Sequence, residues 1–123
     1  MQKRVLVVDD NEFIRLLVRS ALEMQTPFIV HEAVDGLDAV QKAEALNPDL
    51  VVMDLSMPRM HGLAASRTLN ESDHPPRIVL FTVDRDGISD SEAHNAGVSA
   101  IIEKSEGLDT LLHEVQHLLQ PTH

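Results

Sequence analysis

Arg4-Val5-Leu6-Val7-Val8-Asp9-Asp10-Asn11 decides the fold, because four apolar residues run without interruption into two carboxylates and an amide. A run this short and this rich in Val reads as a strand, with Asp9 and Asp10 marking where it leaves the core. Since the run is apolar at every position, both faces of the strand must be covered. That is the pattern of a parallel sheet sandwiched between helices.

Leu50 to Met53 and Ile78 to Phe81 repeat the signature, and a weaker run lies at Ala100 to Ile102. A fifth candidate, Phe28 to Ala33, mixes His31 and Glu32 with apolar residues, as an edge strand would. Helical patterns fill the gaps. Ile14, Leu17, Val18, Ala21 and Leu22 recur at helical spacing after Asn11, and Pro27 marks the end of that helix. Asp35-Gly36 turns the chain into a second helix carrying Ala39, Val40, Ala43 and Leu46, which Asn47-Pro48 stops. A short third helix is expected over Leu63 to Leu69, with Pro75-Pro76 blocking its extension. Ser89 and Glu92 have capping-box spacing for a fourth helix ending near Gly97. Leu108, Leu111, Leu112, Val115, Leu118 and Leu119 form the stripe of a fifth. The sum is (βα)5, an α/β doubly wound sheet of flavodoxin-like type. Three apolar and two mixed strands suggest that the second and fifth lie at the edges, consistent with the order 2-1-3-4-5, which is taken from the family resemblance given below.

The chain has 123 residues, enough for one core and too few for two full domains. Aromatics make up 2% of it, so the core must rest on Val, Leu, Ile, Ala and Met. A formal charge of -10 opposes contact with nucleic-acid phosphates and anionic membranes, so neither is an expected partner. No apolar run approaches the length of a membrane span, and the absence of cysteine fits a reducing compartment. A soluble cytoplasmic domain over residues 1–120 is expected, with 121–123 a short tail and no output module in the chain.

In the order 2-1-3-4-5 the connections reverse between the first and third strands, and ligands bind at the carboxyl ends there. Asp9, Asp10 and Asp54 would meet at that point. Three carboxylates together are costly without a cation, and Mg2+ suits hard oxygen donors that leave room for water and phosphate. Thr82 and Lys104 close the fourth and fifth strands on the same rim, adding a hydroxyl and an ammonium. Together these groups describe a phosphoryl site, in which a carboxylate can be the nucleophile.

Val-Val-Asp9-Asp10, Asp54-Leu-Ser-Met-Pro58-Arg-Met-His-Gly62, Thr82, and Ala96-Gly97 followed by Lys104 resemble the receiver domains of bacterial two-component response regulators, over nearly the whole chain. The resemblance implies Asp54 as phosphoacceptor, Asp9 and Asp10 as the acidic pocket, and Asp10, Asp54 and the Ser56 carbonyl as direct Mg2+ ligands. It implies that Lys104 pairs with the phosphoryl group and that Thr82 bonds it after transfer, drawing the following loop inward. Pro58 and Gly62 would shape the loop beside Asp54. The implied donor is a sensor histidine kinase or histidine phosphotransfer protein, and the implied output is a partner protein or an output domain. Such a domain catalyses its own modification and its slow reversal, and the fourth helix, fifth strand and fifth helix often carry dimerisation or partner binding.

Three positions depart from the family pattern. Ile101 replaces the usual Tyr or Phe, so an aromatic rotamer switch is not expected. Val83 replaces a small residue after Thr82, and its branched side chain is expected to crowd the mouth of the site and slow entry or hydrolysis. Ser105 replaces the proline after Lys104, removing the usual reason for a cis peptide, and Lys-Ser also occurs in receivers joined to helix-turn-helix modules. These departures motivate one alternative, a degenerate receiver that binds proteins without phosphorylation. An aspartyl-phosphate phosphatase is a second, but it needs an acid two residues after the nucleophile, where Ser56 stands. A flavin site fails because Asp9 and Asp10 occupy the place of a phosphate cradle. His113 and His117 have chelating spacing but fall opposite the apolar stripe, so a solvated face is expected, and Met53, Met57 and Met60 read as packing.

Overall fold

The computed structural model describes residues 2–85 and 87–120, so the tail expected at 121–123 lies outside the described residues. Five strands alternate with five helices: β1 Arg4–Val8, α1 Glu12–Gln25, β2 Ile29–Ala33, α2 Gly36–Leu46, β3 Leu50–Met53, α3 Gly62–Asn70, β4 Arg77–Thr82, α4 Asp90–Asn95, β5 Ala100–Glu103 and α5 Leu108–Leu118. All strand pairs are parallel, and the order is β2-β1-β3-β4-β5. The apolar strands β1, β3 and β4 are central and the mixed ones are edges, as their composition predicts.

Alternate side chains of each strand feed two cores. Val5, Val7, Val52, Val79 and Phe81 pack with Val18, Leu22, Leu111 and Val115 beneath α1 and α5. Leu6, Val8, Val51, Met53, Ile78 and Leu80 pack on the opposite face with Ala39 and Ala43 of α2, Ala65 and Leu69 of α3, and Ala96 just after α4. Each fully buried Leu or Val contributes about 2 kcal/mol of transfer free energy, so the two faces together lock the register of the central strands.

Glu32, one of the two polar residues in β2, has a structural reason. Glu32 faces α1 and accepts from Arg15 Nε at 2.8 Å and Arg19 Nη1 at 2.6 Å, while its carbonyl accepts from Lys42 Nζ at 2.8 Å. Charged partners on the outermost strand discourage pairing with another chain.

Local chemistry sets the helix starts. Asn11, not Asp10, caps α1 by accepting from Ile14 N at 3.1 Å, which frees Asp10 for the site. Asp35 caps α2, and Ser89 with Glu92 form the capping box of α4. Asn47 ends α2 in the left-handed region at φ 49°, and Gly97 follows α4 at φ 83°. Lys104 lies one step past the strand that it was expected to close. The backbone N–H of Glu103 donates to the Glu106 carboxylate at 2.8 Å, bending the chain into a 3-10 turn over Lys104–Glu106.

Candidate functional site

The acidic cluster is built by backbone pairing that continues past the strands. Asp54 N donates to the Val8 carbonyl at 3.0 Å, and Asp9 N donates to the Ala33 carbonyl at 3.2 Å. These bonds fix the first residues beyond β1 and β3 side by side. Asp9 and Asp54 are buried and Asp10 is exposed, and one carboxylate oxygen from each lies within 4.8 Å of the others. Among the described residues this is the one group of three metal-competent side chains; His113 and His117, both exposed, have no third partner.

Lys104 reaches the cluster across β4. Its ammonium donates to Asp9 Oδ2 at 3.0 Å and to Asp54 Oδ2 at 3.4 Å. Burial pushes the Asp54 carboxyl up, Lys104 draws it back, and the charge of Asp9 adds to the rise, so it stands above the usual carboxylate range. Burial opposes the charge on Lys104, but its bonds to Asp9 and the charges of Asp54 and Asp9 outweigh that cost and hold the ammonium above its usual value. One lysine facing three carboxylates leaves the cluster short of positive charge.

Asp9 is further pinned. Its Oδ1 accepts from Asn11 N at 2.9 Å, and Arg15 Nη1 donates to its main-chain carbonyl at 2.8 Å. Arg15 is a site residue that the sequence alone did not single out; its signal was a cation shortly after the acids, opposite a charged edge strand.

Thr82 ends β4 on the same rim, buried, with its hydroxyl donating to the Asp84 carbonyl at 3.3 Å rather than to any carboxylate of the cluster. Val83, next to it, is 74% exposed and turned to solvent. Ile101 is half-buried against the α2–α4 core.

The loop from Asp54 to Gly62 is tightly held. Ser56 N donates to Asp54 Oδ1 at 3.3 Å, and Gly62 N donates to the Leu55 carbonyl at 2.8 Å. A Cβ on Gly62 would stand 2.4 Å from the Asp54 carbonyl oxygen, so glycine is required there by close approach. Met60 N donates to the Pro58 carbonyl at 2.7 Å, a three-residue turn centred on Arg59. Met53 is core, and Met57 and Met60 pack against it, as predicted.

The response regulator receiver domain model matches residues 5–116. The chain belongs to that family. This receiver is 32% identical to the chemotaxis protein CheY of Bacillus subtilis over 119 residues, covering 97% of this chain and 99% of that protein. It is 39% identical over 105 residues to protein-glutamate methylesterase/protein-glutamine glutaminase 1 of Methanosarcina acetivorans, covering 84% of this chain but 30% of that protein. The receiver therefore spans about a third or less of the methylesterase relatives that it matches. Among solved structures, the response regulator domain of Thermotoga maritima CheB superposes with a TM-score of 0.85 at 30% identity, covering 98% of this chain and all of that one. Vibrio cholerae CheY4 superposes at 0.88 with 26% identity, covering 97% of this receiver and 100% of its own chain. Among the described residues, no helix is long and apolar enough to cross a membrane.

Proposed function

We propose that this receiver accepts a phosphoryl group on Asp54 from a phosphohistidine donor, a sensor histidine kinase or histidine phosphotransfer protein, and signals to a separate effector or an attached output domain. The observation that carries the reading is the Lys104 ammonium bridging Asp9 and Asp54 within a set of three converging carboxylates. An Asp54 oxygen attacks phosphorus as the P–N bond to the donor imidazole breaks; the imidazole leaves and takes a proton from solvent. Lys104 shifts from the Asp54 oxygen to a phosphoryl oxygen, where its charge counters the negative charge that builds during transfer.

The donor set suits Mg2+, since it offers hard oxygens and an excess of negative charge. Asp10, Asp54 and the Ser56 carbonyl would hold the ion beside Asp9, and the bound ion supplies further charge neutralisation at the phosphoryl oxygens.

Thr82 exchanges its bond to the Asp84 carbonyl for one to the phosphoryl group, pulling the loop after β4 toward the site. With Ile101 at the position of the usual aromatic, the change is transmitted by that loop and α4 rather than by a ring rotation. Water then attacks the acyl phosphate and restores Asp54, with Val83 at the edge of its approach.

Beryllofluoride, a phosphoryl mimic, tests the reading: nuclear magnetic resonance should show Mg2+-dependent binding with shifts at Thr82 and Lys104. Binding of neither Mg2+ nor beryllofluoride would instead support a receiver that works without phosphorylation.

A further inference from the structure

Asp35 and Arg59 join two segments that the phosphoacceptor chemistry leaves unexplained. Asp35 is buried, although it begins a surface helix, and it uses both carboxylate oxygens. Oδ1 caps α2 by accepting from Asp38 N at 2.9 Å, while Oδ2 accepts from Arg59 Nε. The guanidinium, followed by the cap bond, holds the Asp35 carboxyl below the usual carboxylate range.

Arg59 sits at φ 66°, a left-handed conformation that arginine adopts only at a cost. It is the centre of the turn closed by Met60 N and the Pro58 carbonyl. The next residue of α2 meets the next residue of the same loop, since a Cβ on Gly36 would lie 2.3 Å from the Met60 carbonyl oxygen. Thus the loop is gripped at Arg59 by an ion pair and at Met60 by backbone contact. Its other end is anchored where Gly62 meets the Asp54 carbonyl. A strained turn held by two independent contacts, within the segment that directly follows the acceptor, is over-determined in a way that ordinary surface loops are not.

We propose that the Asp35–Arg59 pair is a latch that positions the loop carrying Ser56, so that its oxygen donors are set before a cation or phosphoryl group arrives. The inference rests on the phosphoacceptor reading. Asp35 and Arg59 are positioning residues, acting through the loop and touching neither phosphoryl group nor metal.

Arg59→Gly is the informative variant, because glycine adopts positive φ freely and the turn loses no backbone stability. Removing a positive charge from the loop beside the acidic cluster would not, by charge alone, weaken Mg2+ binding. The latch predicts the opposite, a loss of about tenfold in Mg2+ affinity, as for other residues that orient metal ligands, and a loss larger than the modest fall in melting temperature from the broken ion pair accounts for. Asp35→Asn keeps the cap oxygen and should weaken Mg2+ and beryllofluoride binding similarly, whereas Arg59→Lys, which retains the charge, should recover part of the affinity. Titration of wild type and variants with Mg2+ alone and then with beryllofluoride, followed by nuclear magnetic resonance, reads each of these. Wild-type binding with unchanged or tighter binding in Arg59→Gly would overturn the latch. A loss that merely tracks a fall in melting temperature would overturn it too. No binding in wild type would overturn the phosphoacceptor reading itself, and the latch with it.

Discussion

Replacing Lys104 by Met keeps most of the side-chain length and deletes the charge, which tests how strongly the acidic cluster depends on it. The ammonium lies 3.0 Å from Asp9 and 3.4 Å from Asp54. At an effective dielectric of about 20, each contact is worth about 5 kcal/mol of Coulomb energy. Most of that is offset in the native state by the cost of burying the ammonium. Removing one partner of such a group leaves the carboxylates uncompensated, at a cost of about 3 kcal/mol. Unfolding entropy is about 2.1 cal/mol/K per residue, so over 123 residues the melting temperature should fall by about 12 °C. In the proposed site Mg2+ would neutralise the same carboxylates, so the gap between variant and wild type should narrow in its presence. Calorimetry with and without Mg2+ reads both effects. A variant as stable as wild type without Mg2+, or a gap that Mg2+ leaves unchanged, would refute the reasoning.

Other consequences follow from neighbouring contacts. Burial alone would lift the Glu32 carboxyl, but the bonds from Arg19 and Arg15 outweigh it and hold it below the ordinary 4.5. Its contribution is therefore present above that value and lost as pH falls through the lower folded value; Glu32→Gln should cost about 0.5–1 kcal/mol in urea unfolding at pH 7, a cost that shrinks progressively as the pH is lowered below 4.5. Gly62→Ala drives a Cβ against the Asp54 carbonyl and should destabilise the fold by about 1–3 kcal/mol, measured by the same unfolding. Val83→Ala should shorten the lifetime of the acyl phosphate if the branched side chain impedes water; an equal or longer lifetime in a phosphate-release assay counts against that role.

The sheet order was legible because burial on both faces leaves a plain mark, and β1, β3 and β4 are apolar at nearly every position while β2 carries His31 and Glu32. The acidic cluster was legible because a parallel sheet gathers the carboxyl ends of its strands, and the strand order implied by the receiver resemblance brought Asp9, Asp10, Asp54 and Lys104 onto one rim. Contacts made sideways between loops and helices left no such mark. Nothing near Asp35 in the sequence announces a bond to a residue 24 positions on, and arginine is a poor signal for a left-handed turn. Arg15 and Arg19 fall off the apolar stripe of α1, and only the position of β2 reveals Glu32 as their shared partner. Thr82 was placed at the correct strand end, but its bond to the Asp84 carbonyl depends on the path of the loop and could not be read from residue type.

The central claim is that Asp54 is the atom-level acceptor, and chemical mapping reaches it most directly. After incubation with acetyl phosphate and Mg2+, the receiver should carry one phosphoryl group, located to Asp54 by borohydride trapping and mass spectrometry. Asp54→Ala should abolish the label while Asp10→Ala should reduce its rate. A label of equal stoichiometry in Asp54→Ala, or one mapped to another side chain in wild type, would contradict the account.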